Sequence, residues 1–372
     1  MEDCYAVIPA GGVGSRLWPL SRGDRPKYLF DLLGQGRTLI QSTYDRVSKV
    51  VGADHVLLVT GWRHVAPVRE QLPGLPEEAV VAEPVPRDSG PAIALGAAIL
   101  ARRHGGGTIV ASFAADQVIR GDEAFADAVR QAVAAARAGY VATIGIAASR
   151  PSTAFGYILE DSSLADAVPD APSARLVRRF VEKPDAATAQ AYLATGRYRW
   201  NAGMFVMRAD VLLDWLRESM PVLYQAVTRI AEASMGTRDS MDEAMAALWP
   251  GVEKIAFDYA VAEPLSLRGR VAMIPGDFGW DDVGDFNSVA ALVPGLEGGS
   301  VKVLGDGDKV VALDSAGDIV APAAGRTVAL LGVDDLVVVD TPDALMVAPR
   351  ARSQEVRRLV ERLRSLGRDD LL

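Results

Sequence analysis

Two cations, Arg16 and Lys27, bracket Pro19 and Pro26 within a stretch rich in glycine and proline, GGVGSRLWPLSRGDRPK, that follows the first apolar run of the chain. Glycines at 11, 12 and 14 let the backbone turn tightly and aim N–H groups at an anion with no Cβ in the way. Pro19 and Pro26 stiffen the loop, so Arg16 and Lys27 could reach a triphosphate. Neither widespread glycine signature fits, because the dinucleotide pattern would need a glycine where Leu17 stands and the phosphate loop of many ATPases places lysine directly after its last glycine. The chain holds only six lysines and otherwise relies on arginine, so a lysine inside such a motif is less ordinary than one on a mixed surface. An ordinary strand-to-helix turn with solvated charges would use the same residues.

The elements around this loop read as an α/β protein. Buried-strand patterns at 5–9, 56–60, 108–113 and 141–146 alternate with helical ones, which predicts a Rossmann-like mixed, mainly parallel sheet flanked by helices. Helices are expected over 90–104, ending in three glycines, and over 123–138, ending at Gly139. Further strands are expected at 156–160, 175–182, 203–208 and 271–275. The turn-rich stretch 294–299 reads as a boundary. Beyond it, short Val- and Leu-rich strands run without an intervening helix to residue 349, which predicts a small β-solenoid or sandwich. The expected domains are therefore 1–293 and 300–372. Val356, Leu359, Val360, Leu363 and Leu366 in the tail share one helical face, expected to be a packing surface rather than a membrane anchor.

Composition removes several function classes. The 372 residues are 49% hydrophobic and carry a net charge of −9, enough apolar material for a large core and no global footprint for nucleic acid. Cys4 is the one cysteine, which excludes an internal disulfide framework and a cysteine-based zinc site and fits a reducing compartment. His55, His64 and His104 have no metal-ligand spacing and are expected at or near the surface. The start MEDCYAVIPAGG lacks the pattern of an export signal, and no apolar run reaches the length of a membrane span. The expectation is a soluble cytoplasmic protein with a small-molecule ligand.

GGVGSRLWPLSR followed by PK closely resembles the amino-terminal signature of mannose-1-phosphate guanylyltransferases, and the similarity continues along nearly the whole chain. In Glu83-Pro84-Val85-Pro86-Arg87-Asp88-Ser89-Gly90, Asp88 or Ser89 is a good helix N-cap by chemistry alone. The resemblance implies that Glu83, Asp88 and Ser89 meet the nucleotide base, with Asp88-Ser89 where the family usually has Asn-Thr. It also implies that Gly11, Gly12, Gly14 and Ser15 bind the nucleotide and that Arg16 and Lys27 serve the triphosphate and the leaving pyrophosphate. Asp116 closes the strand over 108–113 at a carboxyl edge, where open α/β sheets bind ligands; a helix cap would look the same. By resemblance Asp116 is a magnesium ligand, with Gln117 where the family usually has His. Asp282, in Gly279-Trp280-Asp281-Asp282-Val283-Gly284, matches the family's second ligand, and one or two carboxylates plus substrate phosphates suffice for Mg2+. Gly156, Glu182, Lys183 and Asn201 would recognise the sugar phosphate, since Glu and Asn can bond vicinal hydroxyls and Lys can meet a phosphate. Taken singly, these segments also read as a strand end and a plain turn.

The reaction so implied is attack by the phosphate of mannose 1-phosphate on the α-phosphorus of GTP, giving GDP-mannose and pyrophosphate. The resemblance further implies Mg2+ as cofactor, a left-handed β-helix at the carboxyl end and a homodimer, with no nucleic acid or membrane partner. Another sugar or base within the same chemistry, and a non-catalytic homologue that senses a nucleotide or GDP-sugar, are the alternatives.

Overall fold

The computed structural model describes residues 1–372, the exposure of Gly298 excepted. The chain forms two compact units. The first comprises Met1–Gly11, Thr43–Ala115 and Ile119–Trp280, the second Gly12–Ser42, Asp116–Val118 and Asp281–Leu372.

The first unit is built on a nine-stranded mixed sheet. Its strands are β1 (Cys4–Ala10), β2 (Val56–Gly61), β3 (Val80–Glu83), β4 (Ile109–Ser112), β5 (Val141–Ala147), β6 (Tyr157–Ser163), β7 (Arg175–Val181), β8 (Tyr198–Arg208) and β9 (Val271–Gly276). They lie in the order β3-β2-β1-β4-β8-β5-β9-β7-β6. β3, β2, β1 and β4 are mutually parallel, as are β5 and β9, whereas β8 runs antiparallel to β4 and β5. The parallel strands are apolar runs buried on both faces, which is why they show no alternation in sequence. The expected mixed α/β sheet is thus present, with β8 starting five residues earlier than its apolar pattern suggested. β3 was not foreseen, because Val80-Val81-Ala82 is too short a run to stand out.

Helices cover the sheet. α1 (Leu39–Val51) enters this unit from the second, followed by α2 (Val65–Gln71), α3 (Ser89–His104) and α4 (Asp122–Arg137). α3 is buried at every residue from Gly90 to Leu100, the signature of a helix apolar on all sides. It approaches β1 so closely that a Cβ at Gly96 would stand 2.7 Å from a Val7 methyl. Asp88 caps its start and Gly105, at φ 97°, ends it. α5 (Ala186–Thr195), α6 (Ala209–Ser219), α7 (Pro221–Ala233), α8 (Arg238–Leu248) and α9 (Glu263–Leu267) complete the unit. A π-helical turn, Asp258–Ala262, precedes α9.

In the second unit the glycine-rich loop joins α10 (Phe286–Leu292) and a β-solenoid. The solenoid consists of β10 (Lys302–Val303), β11 (Val310–Leu313), β12 (Ile319–Ala321), β13 (Val328–Leu331), β14 (Leu336–Asp340) and β15 (Leu345–Pro349). Coils stack in parallel with an eighteen-residue offset between register partners, Val310 with Val328 and Ile319 with Val337. β15 closes the stack antiparallel to β14. Val301, Val310, Val320, Leu330 and Val338 fill its interior, each contributing about 1.5–3 kcal/mol by burial. The final helix, α11 (Arg357–Ser365), carries the apolar stripe expected to pack. Only Val356, just before it, is buried, while Leu359 and Leu366 are 42% and 56% exposed.

Among the described residues no helix is long and apolar enough to cross a membrane. His64 is buried rather than superficial, and His55 and His104 both stack on Tyr5.

Candidate active site

The candidate residues fall into two groups. Lys27 is the centre of the group in the second unit. Gly14 adopts φ 79°, and a Cβ there would lie 2.9 Å from Lys27 Cβ and Cγ. Both the backbone angle and the close approach therefore require glycine. Val13 O accepts from Lys27 N at 3.1 Å, and the Ser21 hydroxyl donates to Gly14 O at 2.6 Å, which fixes the loop around the lysine stem. Lys27 is 8% exposed, and its ammonium reaches three oxygens: Asp282 O at 2.7 Å, Val283 O at 3.2 Å and Asp116 Oδ2 at 3.0 Å. An ammonium has three donors, so the geometry satisfies it fully.

The turn that presents those carbonyls is strained. Val283 sits at φ 50°, a region β-branched residues avoid, and the Asp281 carboxylate holds it there by accepting from Val283 N at 2.7 Å. A Cβ at Gly284 would come within 2.8 Å of Asp282 Oδ2. Reciprocal bonds between Val118 and Asp281, 2.9 and 3.0 Å, tie the Asp116 segment to this turn. Burial lifts the Asp282 carboxyl to about 6 against the opposing pull of Lys27, with Asp281 and Asp116 adding to the rise. Arg16 lies on the 3-10 turn Ser15–Leu17, with one guanidinium N–H donated to Gln354 Oε1 at 2.8 Å.

The first unit carries the other group. Glu83 ends β3 and is 3% exposed, with Oε1 unbonded among the described residues. Burial first, and the Asp88 charge second, push its carboxyl up to about 8, so at pH 7 it offers an O–H as well as an acceptor. Asp88, at φ 72°, caps α3. Ser89 Oγ accepts from Phe257 N at 2.9 Å, and with Gly90 N bonded to Ile255 O at 3.0 Å it braces the helix start. This raised acid sets a pH dependence. The folded chain keeps the Glu83 proton to about pH 8, whereas the unfolded chain loses it near 4.5. Its contribution to stability is therefore complete below about 4.5 and lost as pH rises through 8. Glu83→Gln should flatten that fall, seen as a smaller loss of urea midpoint between pH 6 and pH 9 than in the parent.

Gly156, Glu182, Lys183 and Asn201 come together in the same unit. A Cβ at Gly156 would meet Glu182 Oε2 at 2.5 Å, and Gly156 O accepts from Asn201 N at 2.8 Å. Glu182 Oε1 pairs with Lys183 Nζ at 2.8 Å. Burial works against the Lys183 charge, and Glu182 more than offsets it, leaving the ammonium above its ordinary range. The Asn201 amide is oriented by Thr143 Oγ1, which donates to Oδ1 at 2.8 Å, and by Asp258 Oδ1, which accepts from Nδ2 at 2.7 Å. Asp258 was missed from sequence. Burial and the Glu182 charge raise its carboxyl to about 7. Its one signal was an acid inside the otherwise apolar run IAFDYAVA.

Comparison with known proteins matches residues 5–297 to the nucleotidyl transferase model and residues 308–363 to the MannoseP isomerase/GMP-like beta-helix domain. The xanthan biosynthesis protein XanB of Xanthomonas campestris is 37% identical over 376 residues, covering 100% of this chain and 75% of that protein. The mannose-1-phosphate guanylyltransferase ManC of Salmonella typhimurium is 37% identical, covering 98% and 74%. A crystal structure described as mannose-1-phosphate geranyltransferase from Thermus thermophilus superposes with a TM-score of 0.82 at 34% identity, over 98% of this chain and 100% of that one. The chain belongs to the mannose-1-phosphate guanylyltransferase family of nucleotidyl transferases.

Nucleotidyl transferases as a family use a divalent cation, and this member's Asp116 and Asp282 fit one. Both offer hard carboxylate oxygens, and Asp282 is half-buried, with a charge that a cation would compensate. Among the described residues no three His, Cys, Asp or Glu side chains gather in a metal-binding arrangement. An ion held by these two carboxylates would complete its shell with phosphate and water, the preference of Mg2+. Gly11 and Gly12 of this nucleotidyl transferase have open space where a Cβ would stand, so packing alone does not require glycine there.

Proposed function

We propose that the chain transfers GMP from GTP to mannose 1-phosphate, giving GDP-mannose and pyrophosphate. The convergence of Lys27 on Asp116 and on the 282–283 turn carries the reading, because it sets a fixed cation against the Asp116 carboxylate and the backbone of the turn that bears Asp282, the two acids that could hold Mg2+. A phosphate monoester is largely ionised at pH 7, so the nucleophile needs no general base. The work left to the protein is alignment and charge neutralisation, which suits a site of lysines, arginine and acids.

Arg16 and Lys27 neutralise the triphosphate and the departing pyrophosphate, and the backbone at Gly11, Gly12, Gly14 and Ser15 cradles it. Glu83, Asp88 and Ser89 select guanine, with Glu83 protonated and Asp88 available as an acceptor. Gly156 leaves room for the Glu182 carboxylate, Glu182 and Asn201 bond the sugar's hydroxyls, and Lys183 orients the attacking phosphate. Asp116 and Asp282 would hold Mg2+, which when bound supplies positive charge to the phosphoryl oxygens. The reaction belongs in the cytoplasm.

The protein works as a homodimer. Leu313 and Leu331 are register partners on the solenoid, 61% and 73% exposed, with Val311 beside them at 49%, and a second copy would cover them. Light scattering should give about twice 39.5 kDa, and Leu331→Arg should halve the mass; a monomer at every concentration contradicts the dimer.

The activity is tested by offering GTP, ATP, UTP and dTTP in all pairings with mannose, glucose and fucose 1-phosphates and Mg2+. GTP with mannose 1-phosphate should give the highest kcat/KM. A higher value for another pair would reassign the substrate, and tight GDP-mannose binding without turnover would make the chain a sensor.

A further inference from the structure

We infer that Gln354 is the positioning residue for Arg16, its amide bridging the guanidinium to the buried carboxylate of Asp285. The inference rests on the reading that Arg16 meets the nucleotide's phosphates. An arginine on a glycine-rich loop has several soft torsions, and holding its planar fork toward a phosphate requires a partner that limits them. Gln354 Oε1 accepts from Arg16 Nη1 at 2.8 Å, while Gln354 Nε2 donates to Asp285 Oδ2. Asp285 is 4% exposed, and its other oxygen accepts from Ser288 N at 2.9 Å as the cap of α10. Because both Asp285 oxygens accept, the NH2 end of the amide must face Asp285. The carbonyl end is then left for the guanidinium.

Gln354 reaches the loop from 3-10 segment Arg350–Val356, directly after the solenoid. That segment is anchored without it. Asn287 Nδ2 donates to Ser353 Oγ at 2.8 Å and to Arg350 O at 3.1 Å, Arg350 Nε donates to Asn287 Oδ1 at 2.6 Å, and Val356 is buried. The role of Gln354 is thus separable from docking of the segment. Its neutrality matters too: a glutamate here would cancel the Arg16 charge and face the Asp285 carboxylate, whereas an amide engages one of five N–H groups and leaves the charge for a ligand.

The test is a mutant cycle in the full-length protein with GTP, mannose 1-phosphate and Mg2+, using Arg16→Ala, Gln354→Ala and the double variant, with Gln354→Met retaining bulk. Loss of a hydrogen bond to a charged group corresponds to about tenfold. Gln354→Ala and Gln354→Met should each raise KM for GTP by about that factor, leave KM for mannose 1-phosphate near the parent value, lower the melting temperature by only a few degrees through the lost Asp285 contact, and add nothing in the Arg16→Ala background. Additive losses, an equal rise in both KM values, or unchanged GTP kinetics would overturn the positioning role. If Arg16→Ala itself turns over normally, the reading of Arg16 fails and this inference with it; an impaired Arg16→Ala beside a normal Gln354→Ala overturns the positioning role alone.

Discussion

Lys27→Ala lowers kcat, at saturating GTP and mannose 1-phosphate, by about a hundredfold or more, the scale of losing one preorganised charge contact to a developing anion. The structure adds a second effect. The ammonium satisfies Asp282 O, Val283 O and Asp116 Oδ2 at once, so its removal leaves the buried Val283 carbonyl unpaired and the two part-buried acceptors to water, and should lower stability by about 1–3 kcal/mol. Lys27→Arg should not rescue the rate, because the wider guanidinium cannot occupy a channel in which the lysine stem already lies against Gly14. Steady-state rates of folded Ala and Arg variants, with urea melts alongside, test this. A kcat within threefold of the parent for Lys27→Ala would remove Lys27 from the mechanism.

Asp282→Asn should also cost about a hundredfold or more in kcat, with the opposite sign on stability. The Asp282 carboxyl is half-buried and lifted to about 6, so the ionised form that works at pH 7.5 is disfavoured by folding. An amide of the same size removes that penalty, and the variant should melt no lower than the parent at pH 7.5. Its divalent-ion dependence is the informative readout: half-maximal activity should need a markedly higher Mg2+ concentration. A rate and Mg2+ dependence like those of the parent would exclude Asp282 as a ligand. Together the two substitutions separate loss of function from loss of fold, since one is predicted to destabilise and the other is not.

Much of the sheet was legible because β1, β2, β4 and β5 are apolar runs buried on both faces, and α3 and α4 end at glycines that sequence marks plainly. The signature loop was legible because a cluster of glycines marks a tight turn, and Gly14 takes φ 79°; its packing on the Lys27 stem, thirteen residues on, leaves no mark in sequence. Asp258 was hidden because its function depends on Thr143 and Asn201, residues far along the chain that orient one amide. The membership of the loop 12–42 in one compact unit with 281–372 was equally hidden. It depends on single long-range contacts such as Trp18 Nε1 with Leu371 O at 2.7 Å and Arg22 with Asp343 at 2.8 Å, which leave no periodicity. The exposed apolar residues of α11 show the same limit, since a stripe at helical spacing says that a surface is apolar without saying what covers it.

The most direct measurement follows the α-phosphorus. Purified protein incubated with GTP labelled at that atom, mannose 1-phosphate and Mg2+ should move the label into GDP-mannose while releasing unlabelled pyrophosphate in equal amount. Label appearing as GMP or GDP without sugar, or remaining in GTP while an active relative converts it, would contradict the account.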